Sequence, residues 1–515
     1  MQCVAVFIFI VLPWLNPFSF GPAPAVVPWL ITLASLAFIL LWAARVPLAD
    51  LAPAAWLAAA LISAALSLLQ YFGWSAAFEP WVNSTLPGEA FANLRQRNQF
   101  ATLTNIGLAS LLWWFAQSRW AAAISVPAAD AAHSAPVYRR VVAMAAAALL
   151  ATGNAASSSR TGLAQLMMLL AMAWAWNRPG GEAGGGWHQS DLRWVTLAAA
   201  LAYGLAAFAL PVLAGLDPQA TGILARLHEG DPQCASRLIL WSNVLHLIAQ
   251  KPWLGWGWGE LSYAHFITLY PGARFCQILD NAHNLPLHLA VELGLPVALA
   301  CCAAAIWAVW CARPWLELDA TRRTLWAVLA VIVLHSLLEY PLWYGPFQVA
   351  FGLCLWLLWR SDRPLVQQSE RRRRRDAYLR RGIAAALLAC AGYAAVDYNH
   401  ISEIYRSPEK RSEAYRDDTL QKIGSSWLFA DQVRFAELST STLTPENATH
   451  LHKISGALLH FSPEPRVLEM LIESATLLGL EDEALFHLQR YQAAFPESHA
   501  RWAKEQSPQT PEKIN

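Results

Sequence analysis

Long apolar segments constrain this chain more than any other feature of its sequence. About eleven of them occur, each roughly 15 to 25 residues long, and a helix of about 20 residues spans a hydrocarbon core of about 30 Å. A helix is favoured because, in lipid, backbone polar groups must be satisfied within the segment. The segments cover residues 4–20, 26–44, 51–72, 99–117, 137–153, 162–177, 194–213, 284–311, 324–342, 345–359 and 382–396. The sequence therefore predicts an all-α, polytopic membrane protein with about eleven transmembrane helices.

Composition supports this class and excludes others. The chain is 56% hydrophobic and 14% charged and has 26 Trp, unlike a soluble globular protein. It contains no P-loop, dinucleotide fingerprint, HExxH helix or GxSxG elbow. We therefore expect no cofactor, no metal ion and no nucleic-acid partner.

The placement of arginine predicts the orientation of the helices. If the N-terminus is cytoplasmic, 18 Arg up to residue 381 fall on the inner side, and seven Lys or Arg fall outside, which satisfies the positive-inside rule. The first segment lacks a basic region and a small-residue cleavage site, so we expect it to be retained as a helix. In a bacterial inner membrane, the C-terminus then lies in the periplasm.

Two long outer loops and a polar tail complete the predicted organisation. The loops cover residues 73–98 and 214–283, and the second contains an amphipathic segment that is expected to lie in the membrane interface. We predict a transmembrane domain over residues 1–396 and a soluble helical periplasmic domain over residues 397–515. In that tail, two amphipathic helices around "GLEDE" resemble a tetratricopeptide-like hairpin.

Seven cations on the predicted outer side are not needed for orientation, so they are candidates for binding an anion. Arg160 follows small and hydroxyl residues in "GNAASSSRTG", which would let the backbone approach a phosphate, and Arg237 begins the amphipathic segment. Two guanidiniums together suit a diphosphate, because each binds by a bidentate fork. The alternative is that outer loops simply carry some arginine. The seven cations are Arg95, Arg97, Arg160, Arg226, Arg237, Lys251 and Arg274.

The stretch "LDNAHNLPLHLAVELGLP" places polar groups at the outer start of the eighth segment. His283, followed by Asn284, lies at the membrane surface, where an imidazole suits proton transfer near neutral pH. His288 and Glu292 share a helix face at i, i+4 spacing, and we expect them to form hydrogen bonds between helices.

Two further blocks carry polar groups at the same side. "NLRQRNQ" contributes Gln96 and Asn98, for which a helix cap is the alternative role. "LHSLLEYPLWYGPF" contributes His335, Glu339, Tyr340 and Tyr344. An intramembrane Glu is a functional hypothesis by default. A zinc site is the rival interpretation, but the ligand spacing of a catalytic zinc site is absent from any single segment.

Two cysteines lie in the second outer loop. Cys234 and Cys276 are disulfide candidates if the loop is periplasmic, although two Cys in one loop need not come close enough to bond.

Together these blocks resemble the O-antigen ligase and polymerase superfamily. They are more similar to its protein O-oligosaccharyltransferase branch, the pilin-glycosylating type. The similar blocks are "RQRNQFATL", "SSSRTG", "RLILWSNVLHLIAQKPWLGWGWGE", "DNAHNLPLHLAVELGLP", "HSLLEYPLWYGPF", "GSSWLFADQVRFA" and "LLHFSPEPRVLEMLIESA".

The resemblance implies a metal-independent inner-membrane glycosyltransferase. Its donor would be an undecaprenyl-diphosphate-linked oligosaccharide, and its acceptor a Ser or Thr hydroxyl of a periplasmic or pilin protein. It implies that Arg160 and Arg237 hold the diphosphate and that His283 is the catalytic His, with inversion at the anomeric carbon. Gln96, Glu339, Tyr340 and Tyr344 match further family positions.

Three alternatives stay open at this point. Within the superfamily, the acceptor is instead the lipid A core, in O-antigen ligation, or a growing glycan, in polymerisation. From a different class, intramembrane charges also mark transporters and lipid flippases. A transporter predicts repeat symmetry and polar groups spread through the midplane, whereas here the polar groups gather at one face.

Overall fold

The computed structural model of the chain describes residues 1–124, 134–176, 189–228, 234–361 and 370–506. Within these ranges the protein consists of α-helices and short 3-10 helices, without a strand, so the predicted all-α class is confirmed. The chain divides into two compact units, residues 1–230 with 309–395 and residues 231–308 with 396–515. The second outer loop therefore groups with the tail, which the sequence does not predict.

The helices follow one another as follows. In chain order they are α1 (Gln2–Leu15), α2 (Val26–Trp42), α3 (Leu48–Tyr71), α4 (Arg97–Ile124), α5 (Ser134–Ala156), α6 (Arg160–Trp176), α7 (Gln189–Leu213), α8 (Gly222–His228), α9 (Arg237–Gln250), α10 (Leu261–Ile267), α11 (Leu285–Leu293), α12 (Leu295–Ala312), α13 (Ala320–Ser336), α14 (Gly345–Ser361), α15 (Glu370–Ser402), α16 (Thr419–Ile423), α17 (Ala430–Thr440), α18 (Ala448–Leu458), α19 (Pro465–Leu477), α20 (Glu481–Ala494) and α21 (Pro496–Gln506). The 3-10 helices are Ser75–Phe78, Pro314–Leu316, Pro341–Trp343, Pro408–Lys410 and Glu413–Tyr415.

Helices occupy all eleven predicted apolar segments, but the eighth is not one helix. It breaks at Gly294 into α11 and α12. Gly294 has a φ of +87°, and a Cβ there would lie 2.2 Å from the carbonyl oxygen of Trp253, so only glycine fits. In the described part of the chain, four helical stretches are long and apolar enough to cross a membrane: α3, Leu192–Leu213, Leu295–Leu316 and α15. The total of eleven crossings stays a prediction.

Small residues allow the helices of the first unit to approach closely. The buried face of α3 is rich in alanine, and α4 and α5 both pack on it. A Cβ at Gly107 of α4 would lie 2.3 Å from the Cβ of Ala60, and one at Gly153 of α5 would lie 3.0 Å from the Cβ of Ala64. In a membrane, close packing of this kind replaces the hydrophobic effect as the driving force for helix association.

The second unit is held together through the short helix α10. Leu261 and Ala264 of α10 belong to one apolar core with α9 and α11. Phe266 belongs to another apolar core, formed by the tail helices α17–α20. Arg490 Nε donates a hydrogen bond to the carbonyl oxygen of Ile267 at 2.7 Å. The outer loop and the tail thus share one helix.

The tail contains the predicted pair of helices around "GLEDE". They are α19 and α20, joined at Gly479, which has a φ of +74°. Beyond the predicted end, Pro496 begins a further helix, α21, because proline is well suited to a first helical turn. The likeness of this pair to tetratricopeptide repeats stays a prediction.

We expect the Gly107→Leu substitution to destabilise the first unit by about 2–3 kcal/mol, because the added side chain overlaps Ala60 and neither helix can yield without losing other contacts. Thermal unfolding of the detergent-solubilised protein measures this. Gly204→Leu in α7 is the matched control, since a Cβ at Gly204 meets nothing within 4 Å. Equal unfolding temperatures for the two variants would contradict the close α3–α4 contact.

Candidate active site

Three polar side chains from different helix ends meet inside the apolar bundle of the first unit. Ser159 Oγ donates to Asn98 Oδ1 at 2.6 Å, and Asn98 Nδ2 donates to Glu339 Oε1 at 3.2 Å. Ser159 and Glu339 are buried. An unpaired polar group in apolar surroundings costs several kcal/mol, so these hydrogen bonds hold the three sequence blocks together. Two predicted site residues, Asn98 and Glu339, are therefore in direct contact.

His335, on α13, belongs to a second set of polar groups. This set contacts α4 at Thr102, one turn after Asn98. His335 Nδ1 lies 2.9 Å from Thr102 Oγ1, and the ring is 1% exposed. Gln165 Nε2 donates to Thr102 Oγ1 at 3.0 Å and to the carbonyl oxygen of Val331 at 3.0 Å. His335 thus links α4 to α13 inside the bundle. Sequence reasoning missed Thr102 and Gln165, although a Gln inside an apolar segment is a signal of such a contact.

The turn before Arg160 uses its hydroxyls internally. Ser157, Ser158 and Ser159 are all buried, and Ser159 Oγ accepts the backbone N–H of Gly162 at 2.9 Å. A Cβ at Gly162 would lie 2.5 Å from the Cβ of Ala101, so this glycine serves helix packing. Arg160, the first residue of α6, is exposed. The small residues of the motif therefore shape the turn, and the guanidinium is its accessible group.

The seven cations on the predicted outer side all have partners within the protein. Among these contacts are Arg95 to the carbonyl oxygen of Pro17, Arg97 to Glu89 at 3.4 Å, Arg226 to the carbonyl oxygen of Ser158 at 3.3 Å, Lys251 to the Trp256 ring at 4.0 Å, and Arg274 to the carbonyl oxygens of Thr268 and His265, both at 2.8 Å. Arg160 and Arg237 stay the predicted anion-binding residues because of the sequence motifs in which they lie, not because they lack contacts.

The other predicted residues of the first unit are Gln96, Tyr340 and Tyr344, which contact residues close to them in sequence. Gln96 Oε1 accepts the backbone N–H of Gln99 at 2.7 Å, so Gln96 acts as the helix cap that the sequence allowed as its alternative role. Tyr340 and Tyr344 stack their rings across the Pro341–Trp343 turn, with centroids 5.9 Å apart. Tyr340 follows Glu339 in the chain, so the aromatic pair is close in sequence to the residue that binds Asn98.

In the second unit, the predicted site residues Arg237 and His283 lie at the starts of two helices. Arg237 is the first residue of α9, which is capped by Ser236. His283 precedes α11 and has a φ of +50°, a left-handed conformation that is uncommon for a residue with a Cβ. Its backbone N–H donates to Asn281 Oδ1 at 2.9 Å. The next residue, Asn284, caps α11, because its Oδ1 accepts the N–H of Leu287 at 3.1 Å.

Three contacts hold the loop between α9 and α11. Trp241 Nε1 on α9 donates to the carbonyl oxygen of Ala282, next to His283, at 3.1 Å. Cys234 and Cys276 form a disulfide, with Cα atoms 5.3 Å apart. The buried amide of Asn243 also bonds the loop backbone on either side of Arg274. Arg237 and His283 are thus carried by one braced loop, and sequence reasoning missed Trp241 and Asn243.

His288 and Glu292 pair with each other. His288 Nε2 lies 3.4 Å from Glu292 Oε2 within α11, and both side chains are almost fully buried. This contact lies within one short helix, and the expectation of hydrogen bonds between helices stays a prediction. The backbone N–H groups of Trp256 and Gly257 bond the carbonyl oxygens at the end of α11. These backbone hydrogen bonds attach the end of α11 to the segment that precedes α10.

His265 is a buried group that the sequence analysis did not single out. Its Nδ1 lies 2.8 Å from the Tyr270 hydroxyl and its Nε2 lies 3.1 Å from the carbonyl oxygen of Phe275. A carbonyl only accepts, so Nε2 carries a proton. Burial, and secondarily the charge of Arg274, lowers the pKa of His265 to about 3.

Each unit carries its own set of predicted site residues. The first holds Arg160 beside a buried network of hydrogen bonds, and the second holds Arg237 and an imidazole at a helix start. Such groups can bind an anion and accept a proton. Among the residues that the structure describes, no three His, Cys, Asp or Glu side chains are grouped so that they could hold a metal ion.

Three family models match successive parts of the chain. The model described as protein glycosylation ligase matches residues 90–115, which include Asn98. The model described as O-antigen ligase matches residues 145–302, which include Arg160, Arg237 and His283. The model described as virulence factor membrane-bound polymerase, C-terminal, matches residues 323–510. Over these ranges the chain is similar to the O-antigen ligase superfamily.

A curated relative supports the oligosaccharyltransferase branch of this superfamily. A protein of Acinetobacter baylyi, named General O-oligosaccharyltransferase, is 29% identical over 160 residues. The match covers 28% of this chain and 27% of the relative, so it spans about a quarter of either protein. No solved structure matches the chain. The resemblance that the sequence motifs indicate is confirmed.

We expect loss of the Cys234–Cys276 disulfide to destabilise the second unit. Closing a loop with a sequence separation of 42 stabilises a fold by about 4 kcal/mol, chiefly by restricting the unfolded chain. The Cys234→Ser, Cys276→Ser double variant should therefore unfold at lower temperature, as should the reduced wild type. Cys301→Ser, which removes an exposed free thiol, is the control. An unchanged unfolding temperature for the double variant would contradict a stabilising role of the disulfide.

Acidification should destabilise the second unit through His265. Between about pH 6.5 and pH 3 the unfolded chain binds a proton that the folded ring does not, so stability falls by up to about 1.4 kcal/mol per pH unit below 6.5. Tryptophan fluorescence during denaturation at pH 7.5, 6.0 and 5.0 measures this. His265→Gln keeps a donor for the carbonyl oxygen of Phe275 and should show a shallower pH dependence. Identical slopes for both proteins would contradict the buried neutral ring.

Proposed function

We propose that this chain transfers a glycan en bloc from an undecaprenyl diphosphate carrier to Ser or Thr hydroxyls of periplasmic or pilin proteins. The observation that carries the proposal is the match to the General O-oligosaccharyltransferase of Acinetobacter baylyi. The match to the protein glycosylation ligase family over residues 90–115 adds to it, because Asn98 in that segment bonds both Ser159 and Glu339.

The reaction requires an anion site and a base. Arg160 and Arg237 hold the diphosphate, and His283 takes the proton of the acceptor hydroxyl. The hydroxyl oxygen attacks the anomeric carbon, the bond from that carbon to the phosphate oxygen breaks, and the electron pair leaves with the lipid diphosphate. Guanidiniums aimed at the leaving group stabilise its growing charge without a metal ion. Attack from the opposite face inverts the anomeric centre.

The remaining candidates position these groups. Ser159 precedes Arg160, so its bonds to Asn98 and the backbone of Gly162 fix the turn from which the guanidinium projects. Glu339 holds Asn98, and Tyr340 and Tyr344 offer an aromatic surface beside it for a sugar ring. Asn284 fixes the start of the helix that follows His283.

The proposed reaction requires the site to face the periplasm. We place the chain in the bacterial inner membrane, with a cytoplasmic N-terminus and a periplasmic C-terminus, as the arginine distribution predicts. The Cys234–Cys276 disulfide supports this side for the second unit, because disulfides persist in the oxidising periplasm.

Two other acceptors are alternatives to a protein hydroxyl, and each is favoured by one of the family matches. The O-antigen ligase model covers residues 145–302, which favours lipid A core as acceptor, and the membrane-bound polymerase model covers residues 323–510, which favours a second glycan. All three reactions use the same donor and differ only in the hydroxyl that attacks. Offering the purified protein each acceptor in turn decides among them, and no transfer to any acceptor favours a transporter.

We expect His283→Ala to lower the rate of glycan transfer at least about 100-fold, because the acceptor oxygen loses its base. Transfer is measured as a gel shift of a pilin-like acceptor incubated with lipid-linked glycan and purified protein. Arg160→Ala and Arg237→Ala should each lower the rate about 100-fold, and the lysine variants less, since lysine keeps the charge but not the fork.

His228→Ala is the matched control. His228 is exposed, and its ring bonds only the backbone of its own helix among the contacts described, so transfer should be unchanged. Undiminished transfer by His283→Ala would exclude the proposed base. Pilin that still carries its glycan in the gene-deletion strain, together with lost O-antigen, would move the acceptor to lipopolysaccharide.

A further inference from the structure

A groove runs between α2 and α14 of the first unit. It has a volume of about 320 Å³ and is lined almost entirely by apolar side chains. On α2 the lining extends from Trp29 to Ala43, and on α14 from Gln348 to Trp356. Fourteen residues of helix rise about 21 Å, so the groove follows most of the thickness of a hydrocarbon core.

The groove exists because of two glycines on α14. At Gly345 the helices touch, since a Cβ there would lie 2.5 Å from Thr32 Oγ1. Two turns farther along, Gly352 is exposed and a Cβ there would meet nothing within 4 Å. The helices are thus in contact near one end, and the missing side chain at Gly352 leaves the space between them open.

One end of the groove is bonded to the turn that follows Glu339 in the chain. Gln348, at that end, donates its side-chain N–H to the carbonyl oxygen of Leu342 at 2.8 Å. Leu342 lies in the turn between the stacked rings of Tyr340 and Tyr344, directly after Glu339. The polar end of the groove is therefore continuous with the block that holds Asn98, and the rest of the groove is apolar.

We propose that this groove holds the single isoprenoid chain of the lipid diphosphate donor. The inference rests on the proposed function, because it assigns the apolar half of that donor. The donor has one chain and a head group that must reach the polar end, whereas a phospholipid has two chains and no reason to end there. In lipid, burial of the chain gains packing contacts rather than hydrophobic energy, so each contact adds a modest affinity.

A larger side chain at Gly352, where the groove is open, tests this proposal. Gly352→Leu should raise KM for the long-chain donor about fivefold while leaving kcat unchanged, because the added side chain occupies space meant for the chain and touches no reacting group. With a short-chain donor that does not reach Gly352, KM should equal that of the wild type. Gly392→Leu in α15, another position with nothing within 4 Å, is the matched control.

A binding measurement separates failure of this proposal from failure of the proposed function. A polyprenyl diphosphate with a photoreactive group on its chain should label peptides of α2 and α14 in the wild type and less so in Gly352→Leu. Labelling of these peptides without any glycan transfer would overturn the proposed function alone. Two results would overturn the groove assignment: labelling of other helices, or labelling by a photoreactive phospholipid that excess polyprenyl diphosphate does not displace.

Discussion

The hydrogen bonds from Asn98 to Ser159 and Glu339 are the constraint on which the first unit depends. Each of the three groups would be costly alone in an apolar bundle, and each is satisfied only when α4, α6 and the segment after α13 take one arrangement. Thr102, Gln165 and His335 extend the network along α4. Polar contacts therefore specify the register of helices that apolar packing alone would leave free to slide.

Small residues make that network possible. Gly162 lets α6 approach α4 at Ala101, and Gly107 lets α4 approach α3 at Ala60. A larger side chain at either glycine would separate the helices by more than a hydrogen bond spans. At Gly352 the missing side chain has a different consequence. No neighbouring helix fills the space that it leaves, so a groove remains.

Sequence reasoning found the helices and the blocks that carry chemistry, since both depend on local patterns. The eleven apolar segments and the "GLEDE" hairpin are visible as runs and periodicities. The break at Gly294 was not visible, because it depends on the backbone of Trp253, which is distant in sequence. For the same reason the sequence did not show that Asn98 contacts Glu339 or that Thr102 contacts His335.

Helix α10 explains why the second outer loop groups with the tail rather than standing alone. Its seven residues are too few to be stable by themselves, so both of its faces must be covered. Leu261 and Ala264 pack toward α9, and Phe266 enters the core of the tail helices. Glu260, just before the helix, adds a hydrogen bond to His460 of the tail at 2.7 Å. The tail thus stabilises the loop that carries Arg237 and His283, which gives the C-terminal helices a structural role of their own.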